Sequence, residues 1–66
     1  MTATQWFRKH FEESGLTQAE VSRQTGITRD LICRYNNGSR EPSVRQLVRL
    51  AKFFHADLNE LLEEDN

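Results

Sequence analysis

The chain is short of the residues that staple or punctuate small folds: its 66 residues include one cysteine, one proline, three glycines and two histidines. Cys33 has no second thiol to pair with, which excludes an intramolecular disulfide framework. His10 and His55 are the only imidazoles and make no ligand set at zinc spacing, so neither a metal nor another cofactor is expected. No apolar run approaches the roughly 20 residues that cross a bilayer, and no secretory leader pattern is present. A cytoplasmic protein without membrane association is the expectation. Catalysis is equally unsupported, because there is no glycine-rich nucleotide loop and these few side chains do not assemble a nucleophile, base and oxyanion site. No strand alternation, internal repeat or low-complexity linker interrupts the chain. What remains is one all-α domain over residues 1–66, near the lower size at which an apolar core alone can support a fold.

Helix punctuation is what the sequence does have. Thr17 and, three residues later, Glu20 form a capping box, in which the hydroxyl and the carboxylate each accept an otherwise orphaned backbone N–H. Gly26 stops that helix by supplying a left-handed residue. Val21 with the small Ala19 and Ser22 makes its packing side, leaving Gln18, Glu20, Arg23 and Gln24 for solvent or a partner. Beyond Gly26, Ile27 is expected to pack under the turn, Thr28 to cap, and Ile32 and Tyr35 to bury one face of a helix from about Thr28 to Asn36. The opposite face carries Arg29, Asp30, Cys33 and Arg34. Upstream, Trp6, Phe7 and Phe11 stripe a helix that begins near Thr2 or Thr4, reaches about Glu13 and stops at Gly15. Downstream, Ser43 and Gln46 spell another capping box, after Pro42, for a helix carrying Val44, Leu47, Val48, Leu50, Ala51 and Phe54. Asp57 and Glu60 do the same for a last short helix presenting Leu58, Leu61 and Leu62. A compact bundle of about five short helices, with a helix-turn-helix at about 17–36, is the expected architecture.

The net charge of −1 conceals an asymmetry: residues 57–66 hold five acids and no base, whereas residues 1–56 hold nine bases and five acids, a balance of +4. The acidic end reads as a solvated helix terminus, frayed at about 63–66. A short helix with outward arginines, held by a tight turn, suits the DNA major groove, which admits a helix and offers guanine edges to the arginine fork.

The GLTQAE segment at 15–20, Gly26, the turn at Asn37 and Gly38, the segment from Arg40 to Ser43 and the DLNELL segment at 57–62 follow one another at a definite spacing. Over about Phe7 to Leu62 the chain thereby resembles the Cro/repressor class of helix-turn-helix proteins, the lambda-repressor-like or XRE family. The resemblance implies a sequence-specific regulator of transcription, a repressor above all, acting on double-stranded DNA. It also implies that Gln18 meets the DNA backbone and braces the recognition helix, and that Asn37 and the residues after it contact phosphate. Three positions depart from the family pattern. A buried ion pair between the first helix and the end of the recognition helix falls here on Phe11 and Asn36, a joint replacement that strands no charge. His10 stands where an apolar residue is common and is expected to be partly buried and hydrogen-bonded. His55 stands where glycine often follows the fourth helix, and is expected to tolerate the left-handed region at some cost.

Arg29 and Arg34 are the candidate base contacts. Asp30 can stabilise its helix N-terminus, accept from a cytosine amine, or orient Arg34 one turn on, the structural role leading, and Cys33 offers a small apolar surface to a thymine methyl. Thr17 and Thr28 carry hydroxyls for phosphate, although capping would account for both. The amides and side chains of the 37–40 turn, including Ser39 and Arg40, and Arg45 near the start of the fourth helix complete the candidate backbone contacts, with Arg49 and Lys52 read as a solvated face. A regulator of this size is expected to pair as a homodimer on a pseudo-palindromic operator, with Leu58, Leu61, Leu62 and Phe53 as candidate pairing surface. The competing reading of those leucines is that they close the base of the bundle. The competing function is an adaptor or antitoxin that keeps the fold and binds a protein.

Overall fold

Thr2, Thr17, Thr28 and Ser43 each accept a hydrogen bond from the backbone N–H three residues on, and these caps open the four α-helices: α1 (Ala3–Ser14), α2 (Gln18–Thr25), α3 (Arg29–Asn37) and α4 (Val44–Phe54). The computed structural model that shows them describes residues 1–62. The end read as frayed, 63–66, lies outside the described residues. At Thr2 and Thr17 the box is complete, since Gln5 and Glu20 accept the cap residue's own N–H at 2.9 and 2.8 Å. Gly26 closes α2 at φ 79°, and His55 closes α4 at φ 57°, the one non-glycine residue with positive φ among those described.

Two expected caps form differently. Ser43 accepts from Gln46 N, but the Gln46 side chain does not reach back, and its Oε1 is enclosed without a hydrogen-bond partner. The competing pull is burial of the Gln46 side chain beside the α4 core face. Asp57 accepts from Asn59 N rather than from Glu60, whose carboxylate turns instead to His10 at 3.0 Å and Lys9 at 3.3 Å. The fifth helix is accordingly a single 3-10 turn, Leu58–Leu61. Trp6 Nε1 donates to the Asp57 carbonyl at 3.3 Å and pins this turn to α1.

The core is Trp6, Phe7, Val21, Ile27, Ile32, Tyr35, Leu50 and Ala51. Each fully buried aliphatic or aromatic side chain here contributes on the order of 1.5–3 kcal/mol relative to exposure, which is the main term opposing chain entropy in so short a domain. Phe11 stacks on Phe7 at 5.5 Å, so this position of α1 is absorbed into aromatic packing. His10 lies 4.9 Å from the Trp6 ring, half-buried and bonded to Glu60, as its place on α1 predicts. The helical spacing predicts three more packed positions than the fold covers: Ala19 is exposed on α2, and Val44 and Val48 are 77 % and 39 % exposed on α4. These residues continue the helical spacing past the point where a neighbouring helix is available to cover them.

Among the described residues, α3 packs against α1 and α2, while α4 and the terminal turn pack against α1 and, for α4, also α2. The side of α3 away from α1 and α2 is therefore uncovered.

Candidate nucleic-acid interface

Helical geometry decides what that uncovered side carries. At about 100° per residue, positions 29, 33, 30 and 34 fall within an arc of roughly 140°, and the buried Ile32 and Tyr35 fall opposite. Arg29, Asp30, Cys33 and Arg34 are all exposed. The structure brings two of them together: Asp30 Oδ2 accepts from Arg34 Nε at 2.9 Å, an i,i+4 pair. The bond engages Nε rather than the two terminal nitrogens of the guanidinium, and it raises the Arg34 pKa further above its already high value. Because both side chains are well exposed, the pair orients more than it stabilises. Asp30 also sits in the first turn of α3, where its charge complements the helix dipole. Cys33 is a free, exposed thiol between these residues.

The residues expected as backbone contacts belong to the caps and first turns of α2, α3 and α4 and to the turn after α3. Thr17 and Thr28 use their hydroxyl oxygens as acceptors for Glu20 N and Leu31 N, at 3.1 and 3.3 Å, so both cap, and each retains its O–H proton for donation. The Thr17 backbone N–H, and secondarily the Thr17 side chain, hold the Glu20 carboxyl below the usual carboxylate range. Gln18, the first residue of α2, is half-buried. The 37–40 turn differs from the expectation of free backbone amides. Ser39 N donates to Asn37 Oδ1 at 2.8 Å and Arg40 N to the Arg34 carbonyl at 3.4 Å, so the turn spends these two amides on its own shape. What it leaves outward are exposed side chains of Asn37, Ser39 and Arg40, the asparagine keeping its amide donors. Arg45 is exposed in the first turn of α4.

Two arginines outside the anticipated set bear on the same helices. Arg8 of α1 donates from Nε to the Asn36 carbonyl in the last turn of α3. Arg49, expected on a solvated face, donates from Nη1 to the Thr25 carbonyl at the end of α2, at 3.3 Å. Both are tertiary bonds to main-chain oxygens, for which no local sequence pattern exists. Leu58 and Leu61 are half-buried and pack against the core, as does Phe53, whereas Leu62 is 80 % exposed. Among the described residues no cluster of histidine, cysteine or carboxylate side chains could hold a metal ion, and no helix is long and apolar enough to cross a membrane.

A short capped helix, seated on a second helix through a glycine turn and presenting basic side chains outward, is the arrangement by which a helix enters the major groove. No curated protein and no solved structure matches the chain. A family model described as helix-turn-helix matches residues 7–61, from the middle of α1 through the terminal turn. The chain belongs to this helix-turn-helix family, the Cro/repressor type of DNA-binding regulators.

Proposed function

We propose that the protein is a cytoplasmic, sequence-specific double-stranded DNA-binding repressor that reads the major groove with α3. The observation that carries this reading is the pair of outward arginines, Arg29 and Arg34, on the side of α3 that no other element covers. Arg34, held by Asp30 and charged at any working pH, is oriented for a guanine edge. Cys33 faces a thymine methyl, and Thr17, Gln18, Thr28, Asn37, Ser39, Arg40 and Arg45 take phosphates, setting register and general affinity while the groove residues set sequence. Repression requires only that the operator be occupied.

One recognition helix reads few base pairs, so the reading includes a homodimer on a pseudo-palindromic operator with half-sites about 34–36 Å apart. The exposed Leu62, with the uncovered edges of Leu58 and Leu61, is the pairing surface. Selection of binding sites from a random duplex pool tests the function. Against the selected operator, Arg29→Ala and Arg34→Ala should each lose about 1–3 kcal/mol of discrimination, while Arg40→Ala should weaken binding to all sequences and lower the salt slope by roughly one. Equal binding of operator and scrambled duplex by the parent protein, or no salt-dependent binding at all, would instead assign the fold to a protein partner.

A further inference from the structure

Resting on the DNA-reading proposal, we infer that Arg8, on α1 and outside the recognition helix, is a positioning residue that sets the angle at which α3 is presented. The four α-helices are not closed alike. At the ends of α1, α2 and α4 the capping residue's N–H bonds back to a helix carbonyl, at Glu12, Ser22 and Ala51, whereas no such bond closes α3 at Gly38. The end of α2 is further fixed by Ser22 Oγ on the Ile27 carbonyl, Thr25 Oγ1 on the Val21 carbonyl and Ile27 N on Thr25 Oγ1. The last turn of α3 has instead the 3.4 Å bond from Arg40 N to the Arg34 carbonyl and the Arg8 guanidinium on the Asn36 carbonyl. Arg8 thus ties α1 to the last turn of the recognition helix by a side-chain hydrogen bond, beside the Phe7–Tyr35 ring contact at 5.9 Å.

Two consequences follow from this placement. First, a cation at a helix C-terminus offsets the partial negative charge of its unpaired carbonyls, and here those carbonyls adjoin the turn proposed to lie on phosphate. Second, α3 acts as a lever. Arg34 lies about 7.5 Å along the helix from Arg29, so a tilt of about 10° displaces it by about 1.3 Å, beyond the tolerance of about 0.5 Å for a preorganised contact. Loss of Arg8 therefore costs discrimination ahead of general affinity.

The test compares the parent protein with Arg8→Gln and Arg8→Lys, using the selected operator and a scrambled duplex at several salt concentrations, together with amide hydrogen exchange of the free proteins. Arg8→Gln should lower the operator-to-scrambled ratio by about five- to tenfold, the lower range of one bidentate base contact, with an unchanged salt slope. Arg8→Lys, which still donates to a carbonyl, should recover part of the ratio. In the free protein, exchange should quicken in the last turn of α3 and not in α2. A slope lowered by roughly one, with equal losses on both duplexes, would make Arg8 a phosphate contact and overturn the inference. So would unchanged exchange in α3. The exchange measurement needs no DNA, so failure of the DNA reading, seen as a parent protein that selects no operator, is told apart from failure of the tie itself.

Discussion

His55→Gly should stabilise the protein, and its magnitude follows from one backbone position. His55 sits at φ 57° and ψ 42° at the end of α4, where its N–H and that of Ala56 both reach the Ala51 carbonyl, so the chain must adopt the left-handed region there. For a residue with a Cβ this conformation costs roughly 1–2 kcal/mol, which glycine avoids. Glycine returns about 0.4–1 kcal/mol of that through the added freedom of the unfolded chain. The net expectation is a gain of about 0.5–1 kcal/mol, or a few degrees in melting temperature, given about 4–8 °C per kcal/mol for a domain near this size. The side chain is exposed, so little packing is lost with it. Urea and thermal unfolding followed by far-ultraviolet circular dichroism would measure the change, with His55→Ala as the control that removes the imidazole but keeps the Cβ. Gly15→Ala supplies the mirror image, since no atom lies within 4 Å of its added Cβ and φ is 71°, leaving backbone strain as the cost. If His55→Gly and His55→Ala were equally stable, the cost would lie in the imidazole and not in the backbone, and the reasoning would fail.

Ile32→Ala and Leu50→Ala, both at sites with no exposed surface, should each destabilise by about 2–5 kcal/mol and leave much of the chain unfolded at room temperature; melting curves check this directly. Glu60 links pH to stability: its hydrogen bond from His10, and secondarily from Lys9, holds its carboxyl below the usual glutamate range. The unfolded chain then binds that proton more readily than the folded one, so this contribution is complete above the ordinary glutamate value and disappears as pH falls through the lowered one. Acid titrations of unfolding should accordingly be shallower for Glu60→Gln across that window, and parallel titrations of the two proteins would contradict the assignment. Asp30→Asn should leave thermal stability within about 0.5 kcal/mol, because the pair with Arg34 is exposed, yet reduce operator discrimination by freeing that guanidinium; competition binding against a scrambled duplex separates the two effects.

The elements of this protein were legible in its sequence because each is punctuated locally. Thr17 with Glu20, Thr28, and the glycines at 15, 26 and 38 act on neighbours within four residues, so their hydrogen bonds and φ values can be read without knowing the fold. The outward set Arg29, Asp30, Cys33 and Arg34 was readable for the same reason, since the period of α3 alone separates it from Ile32 and Tyr35. Tertiary structure decided matters in which a local preference met a distant competitor. Glu60 left the cap of its own turn for His10, fifty residues away, and the expected helix became a 3-10 turn. Val44 and Val48 kept helical spacing but found no neighbour to bury them, because periodicity states which face is apolar and not whether anything covers it. Arg8 and Arg49 carry no pattern that distinguishes them from solvated arginines. Their partners are main-chain carbonyls of residues 36 and 25, groups every residue possesses, and only the packing of α1 on α3 and of α4 on α2 selects which carbonyls they meet.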